Sequence, residues 1–83
     1  LMQGSSYILA ASDTSEELEP DTLQPMIIAE METSIPTLSV GEAVMQMEIA
    51  GAPVLVFRYE KQDTGVNIVY RRDDGNIGWI DPN

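Results

Sequence analysis

The side chains of this sequence that are suited to chemistry are carboxylates and arginines, because the chain contains neither histidine nor cysteine. Histidine is the commonest metal ligand and the usual proton carrier near neutral pH, and cysteine supplies thiolates and disulfides. No nucleophile stands beside a base at a recognisable spacing, and the phosphate-loop and dinucleotide fingerprints are absent. We therefore predict no catalytic site, no metal, no cofactor and no enzymatic activity.

Two groups of carboxylates are the remaining candidates for a metal or acid–base site. The acidic run at residues 16–21 lacks the regular oxygen spacing and the turn glycine of a calcium loop, so we interpret it as part of a solvated linker. Asp73 and Asp74 stand at a hairpin turn, where we expect exposure to water to keep both carboxyl groups ordinary.

The charge distribution argues against direct binding to nucleic acid. The net charge is −10, and the first 57 residues contain acids but no cation. Such a surface repels phosphate. Arg71 and Arg72 are candidate RNA contacts, but we favour strand-end cations that lie near Asp73, Asp74 and Asp81. No apolar run approaches transmembrane length, so we predict no membrane partner, and the lack of cysteine fits a cytoplasmic-type location.

One helix is predicted over about residues 40–50. Ser39 is suited to be its N-cap, and Glu42 completes a capping box. Gly51 suits the left-handed residue after a helix, and Pro53 prevents continuation. An apolar stripe would face the sheet; it consists of Val40, Ala43, Val44 and Met47. Met45 and Ile49 form a second apolar spot on the opposite side.

Strands are predicted at 26–32, ended by Pro36, and at about 54–59, 66–72 and 77–81. The order strand, helix, strand, strand, strand predicts an α+β fold, a two-layer β-α-β-β-β domain with one helix packed on a small, mostly antiparallel sheet.

The last three strands are apolar on both faces. One helix covers one face, and in so short a chain the simplest cover for the other is a second copy. Residues 1–25 read as an acidic flexible linker, with a short apolar patch at 7–10 that could dock elsewhere.

The second hairpin decides which residues share a face. Asp74-Gly75 is the strongest hairpin signal in the chain, and a two-residue turn there pairs Tyr70 with Trp79. Tyr70, Trp79 and Ile68 then share one face, and Gly78 and Ile80 lie on the other with Val69.

The first hairpin leaves two registers open. An odd-length loop at 60–64 puts Val54 and Val56 beside Ile68 and Tyr70, whereas an even-length loop puts the strand's other two apolar residues there. We prefer the odd loop, because it leaves the larger Leu55 and Phe57 for the helix side, opposite Gly78.

The stretch from Ile27 to Pro82 resembles the C-terminal domain of long-form ribosome hibernation promoting factors, which are also called ribosome-associated or sigma-factor modulation proteins. The residues that carry the resemblance lie in the helix, the strands and the last turn: 42–48, Gly51, Val56-Phe57, 67–72, 74–76, Gly78, Ile80 and Pro82. The run of valine, tyrosine and two arginines before an Asp-Gly turn is the most specific of these.

The resemblance implies a dimerisation domain at residues 26–83. In this family an N-terminal domain occupies the small ribosomal subunit, and the C-terminal domain homodimerises and so joins two inactive ribosomes. We expect the same role here, in the bacterial cytoplasm or the plastid stroma, with the ribosome contacted indirectly through an N-terminal domain outside this sequence.

Five residues are predicted to form the dimer interface: Val54, Val56, Ile68, Tyr70 and Trp79. An ordinary core strand pair under the helix is the alternative role for them. The alternative function is a general assembly or regulatory domain that binds a different protein by strand addition to the edge at 26–32.

Overall fold

The computed structural model describes residues 2–11 and 25–82. The chain divides into two compact units, Gln3–Thr33 and a second unit that consists chiefly of the residues from Ser34 onward. In the described ranges no helix is long and apolar enough to cross a membrane.

The described residues of the first unit lie mainly in a two-stranded sheet, called here the β1–β2 ribbon. Its strands are β1, Met2–Leu9, and β2, Ile27–Ile35. The amide of Ala10 donates to the carbonyl of Met26 at 2.9 Å, whereas Gly4 lies beside Thr33. The two strands therefore run in opposite directions.

Strand β1 lies in the range 1–25, for which the sequence predicts a flexible linker, and residues 2–9 differ from that prediction. The partner strand follows only after the long segment 10–26, so the pairing is not visible in local sequence patterns. The acidic run at 16–21 lies outside the described residues. The boundary between a linker and a domain at residue 26 stays a prediction.

The second unit has the predicted α+β architecture. Its elements are β3, Thr37–Leu38; α1, Val40–Ile49; β4, Val54–Tyr59; β5, Asn67–Arg71; and β6, Ile77–Ile80. They form a four-stranded sheet in the order β3-β4-β5-β6, in which β3 runs parallel to β4 and the other pairs are antiparallel.

The strand that enters this sheet before the helix is β3, not the predicted strand at 26–32. Pro36 separates β2 from β3, and its carbonyl accepts a hydrogen bond from the Arg58 amide at 2.7 Å. Pro36 has no N–H to continue the ladder of β2. The chain therefore changes sheets at this residue.

The predicted helix is confirmed, including its capping box. The Ser39 hydroxyl accepts from the Glu42 amide at 3.1 Å, and the Glu42 carboxylate accepts from the Ser39 amide at 2.9 Å. Gly51 follows the helix with a φ of 63°. The helix packs on the sheet through a core of fully or almost fully buried side chains: Leu38, Ala43, Met47, Phe57 and Val69.

Candidate functional site

The register of β4 against β5 places the first set of candidate residues on one face. Val54 lies opposite Tyr70, and Val56 lies opposite Ile68. The odd-length loop is confirmed by these pairs. Leu55 and Phe57 project to the other face and pack against the helix, as predicted.

The register of β5 against β6 differs by one residue from the prediction. Tyr70 lies opposite Gly78, and Val69 lies opposite Trp79, so the predicted pairing of Tyr70 with Trp79 is wrong. Since side chains alternate along a strand, a shift of one residue moves every side chain of β6 to the other face.

The reason for the shift is a three-residue loop at 73–75 in place of a two-residue turn. The Arg72 amide donates to the Asn76 carbonyl at 2.8 Å, and Gly75 has a φ of 88°, as in hairpins with a left-handed residue at the end of a type I turn. The Asp74 carboxylate accepts from the Asn76 amide at 3.0 Å and holds this loop closed.

Trp79 therefore lies on the helix side of the sheet. Its indole N–H donates to the side-chain oxygen of Asn67 at 2.9 Å, and its ring meets Tyr59 edge-on with the ring centres 5.6 Å apart. Trp79 remains 46% exposed. The sequence prediction that it shares a face with Ile68 and Tyr70 is wrong.

The opposite side of the sheet presents an apolar surface, called here the open face, which consists of Val54, Val56, Ile68, Tyr70 and Ile80. Val54, Val56 and Ile80 are 47%, 40% and 49% exposed. Four of the five predicted interface residues lie together here. Ile80 takes the place predicted for Trp79, and only the true register of the second hairpin could have revealed it.

Gly78 also lies on the open face, not on the predicted helix side. A Cβ atom at this position would be 2.1 Å from Cζ of Tyr70. The aromatic ring therefore lies directly over the glycine and covers the middle of β6. Glycine serves here as the place where a side chain of the neighbouring strand lies flat.

The charged groups lie around the sheet rather than in the middle of the open face. Arg72 and Asp74 form an ion pair of 3.0 Å at the hairpin turn, and this guanidinium lowers the pKa of the Asp74 carboxyl. We expected that carboxyl to be ordinary, but its contact with Arg72 makes it more acidic. Arg58 lies at one end of the open face and donates to the Asp63 carbonyl at 2.7 Å.

In the ranges that the structure describes, no group of three or more histidine, cysteine or acidic side chains could hold a metal ion.

Apolar side chains are also exposed elsewhere in these ranges, on the helix and on the β1–β2 ribbon. Met45 and Ile49 are exposed on the helix, where the sequence predicts a second apolar spot, and exposed apolar side chains also lie on the β1–β2 ribbon, among them Tyr7, Ile8, Leu9, Ile27, Ile28 and Met31.

This sequence matches one protein family and is similar to several known proteins that share one name. Residues 22–78 match the family described as "Sigma 54 modulation/S30EA ribosomal protein C terminus". A protein named ribosome hibernation promotion factor from Bradyrhizobium diazoefficiens is 49% identical over 82 residues, which are 98% of this chain and 40% of that protein.

Two further proteins of that name are similar. The one from Rhizobium meliloti is 50% identical over 66 residues, 80% of this chain and 34% of its own length. The one from Lactococcus lactis is 32% identical over 72 residues, 87% of this chain and 37% of its own. The chain thus spans 40% or less of these relatives. The match over residues 22–78 shows that the chain belongs to the Sigma 54 modulation/S30EA ribosomal protein C-terminal family.

Proposed function

We propose that this chain is the homodimerisation domain of a ribosome hibernation factor. Two copies pack open face against open face, and the dimer joins two inactive ribosomes, which contributes to translational silencing under stress or in stationary phase. The observation that carries the proposal is the open face itself, an apolar sheet surface with Val54, Val56 and Ile80 40–49% exposed.

The chemistry of the open face supports pairing between copies of a strongly acidic chain. Each copy has a net charge of −10, so two copies repel each other. The strand positions that project on this side include no carboxylate. The middle of a protein interface is typically poor in charged residues and rich in aromatic ones, and Tyr70 offers a broad apolar ring with a polar end.

The names of the relatives support the ribosome as the particle to which the complete protein binds. The relatives are called ribosome hibernation promotion factors, and most of their length lies outside the region that matches this chain. We assign the ribosome contact to another part of the complete protein, because the acidity of this chain disfavours phosphate. Its function is then one of assembly, without a catalytic step.

The first experiment replaces Val56 or Tyr70 by aspartate in the middle of the open face. We expect Val56→Asp and Tyr70→Asp to be monomers with native circular dichroism, because each dimer would bury two uncompensated carboxylates. Met45→Asp is the matched control, since Met45 is an exposed apolar residue on the helix. Sedimentation at micromolar protein measures the mass. A dimer mass that Val56→Asp leaves unchanged would refute the proposed interface.

The second experiment tests the ribosome link in the complete protein that contains this chain. Sucrose gradients of stationary-phase extracts separate paired from single ribosomes. We expect Val56→Asp to abolish the paired peak and Met45→Asp to keep it. If paired ribosomes persist with a protein shown to be monomeric, the tethering role is wrong.

A second candidate function is strand addition, which the exposed apolar residues Ile27, Ile28 and Met31 of β2 favour. In the described residues β2 pairs on one edge only, with β1. A different protein that extends this ribbon would bind a monomeric chain. A folded wild-type monomer would therefore favour this function over the tether.

A further inference from the structure

We propose that Asn67 is a positioning residue that selects the register of β6 and so decides which side chains form the open face. Asn67 is fully buried on the helix side of the sheet, opposite Phe57. A buried polar side chain needs its hydrogen bonds to be made. An apolar residue would satisfy burial without that requirement, so the amide needs a further explanation.

The amide of Asn67 is held from both ends. Its oxygen accepts from the indole N–H of Trp79 at 2.9 Å, and its nitrogen donates to the side-chain oxygen of Gln62 at 2.9 Å. Because an indole N–H can only donate, it fixes which end of the amide is the oxygen. Gln62 in turn donates to Asp81, just beyond β6, at 3.0 Å. The network joins the β4–β5 loop to both the middle and the end of β6.

The Asn67–Trp79 hydrogen bond is compatible with only one of the two registers open to β6. A two-residue Asp74-Gly75 turn is the ordinary choice for this sequence, and it would shift β6 by one residue. Trp79 would then project on the side opposite Asn67, out of reach of the amide. The amide would be left buried without the indole donor, which is strongly unfavourable. Asn67 therefore favours the observed register over the competing one.

The register determines the chemistry of the open face. In the observed register Ile80 lies opposite Ile68, and Gly78 lies under the ring of Tyr70. In the shifted register Asp81 would lie opposite Ile68, which adds a carboxylate to an apolar surface. Trp79 would lie opposite Tyr70, where the observed structure has no side chain. A shifted β6 would therefore give a bulkier, charged surface that suits self-pairing poorly.

The test reads the register directly by NMR on the whole chain. Backbone NOEs join Val69 to Trp79 in the observed register and Tyr70 to Trp79 in the shifted one. We expect Asn67→Leu, close in size but without the amide, to show both sets of NOEs. Trp79→Phe, which keeps a ring but removes the donor, should do the same. Phe57→Leu is the matched control, because it weakens the same buried layer without touching the network, and it should show the observed register alone.

The inference fails if Asn67→Leu and Trp79→Phe both keep the observed register alone, or if Phe57→Leu shifts it as well. If Asn67→Leu does not fold, Trp79→Phe decides by itself. The last step rests on the proposed function: if half of the chains adopt the shifted register, which puts Asp81 on the open face, those chains should not pair, and the apparent dimer dissociation constant should rise about fourfold. A monomeric wild type would refute the proposed function and leave the NOE result standing, so the two failures are distinguishable.

Discussion

The two faces of the four-stranded sheet come from alternate residues of the same strands, yet they have opposite environments. On the helix side, Phe57 and Val69 are completely buried. On the open face, their strand neighbours Val56 and Ile68 project away from the helix, and Val56 is 40% exposed. Both sets are apolar. An apolar pattern in the sequence thus predicts that a sheet face will contact another element. Only the structure shows whether that element belongs to the same chain.

The faces also differ in polar content. The helix side contains a fully buried amide, Asn67, whose partners lie on β6 and in the β4–β5 loop. The open face has the Tyr70 hydroxyl as the polar group among its five residues. The hydrogen bonds that fix the strand positions therefore lie on the helix side, whereas the open face is almost entirely apolar.

The largest test of this comparison removes the same kind of group from each face. Phe57→Ala should lower the free energy of unfolding by about 3–5 kcal/mol, because it leaves a cavity in the core. Val56→Ala should cost about 1 kcal/mol or less in the single chain, since its site is partly in water. Urea unfolding at two protein concentrations separates chain stability from association. Equal losses at the lower concentration would contradict the distinction between the faces.

A smaller effect is expected from Gly78→Ala, which breaks the flat packing on the open face. The new Cβ would meet the Tyr70 ring at 2.1 Å, so the ring must leave its place. We expect a loss of about 1–3 kcal/mol, typical of overpacking. A double-mutant cycle with Tyr70→Ala checks the cause, because the glycine substitution should cost much less once the ring is gone. Additive losses would show that the ring is not responsible.

Ser39→Ala should destabilise the helix that covers the buried face of the sheet. This variant removes the hydroxyl that accepts from the Glu42 amide and should cost about 1 kcal/mol. Thermal unfolding measures the loss. The dimer mass should stay unchanged, because the open face keeps all its residues. A monomeric Ser39→Ala variant would mean that the helix, too, supports association.

The same cap predicts a pH dependence. Hydrogen bonds from the Ser39 backbone amide and hydroxyl lower the pKa of Glu42 below its ordinary value of 4.5. A carboxyl with a lowered pKa stabilises the fold above its ordinary value, and this contribution is lost as the pH falls through the lowered one. Glu42→Gln should therefore melt below the wild type at neutral pH and approach it in acid. A melting difference that is independent of pH would contradict this role.

The smallest effect is expected at the tip of the second hairpin. Asp74→Asn removes the exposed ion pair with Arg72 but keeps an oxygen that can accept from the Asn76 amide. We expect a slight fall in melting temperature at low salt that disappears at high salt, because salt screens exposed pairs. The register of β6 should not change. If Asp74→Asn shifts the register, then the turn selects the register and not Asn67.

The sequence predicted those parts of the site that short-range rules govern. The capping box of Ser39 and the apolar stripe of the helix follow from spacing alone, and the larger size of Leu55 and Phe57 identified their side of the sheet. The second hairpin was predicted wrongly, because a two-residue turn and a three-residue loop both suit Asp74-Gly75. The choice depends on contacts that Trp79 makes across the sheet with Asn67, which no local pattern contains.

The β1–β2 ribbon shows the other limit of sequence reasoning. Its strands are joined through the segment 10–26, and the acidic residues within that segment gave the whole range the composition of a linker. The pairing of β1 with β2 is a non-local contact. Strand β3 is equally hard to predict, because it is only two residues long and is defined by its pairing with β4.

The abrupt change of sheet at Pro36 has a mechanical consequence. A single residue separates β2 from β3, so tension on the upstream chain reaches the edge of the four-stranded sheet without slack. There it meets backbone hydrogen bonds from Arg58 to Pro36 and from Glu60 to Leu38, which a force along the strand loads together in shear. A junction of this kind resists pulling better than one that opens bond by bond, which would suit the tether that we propose.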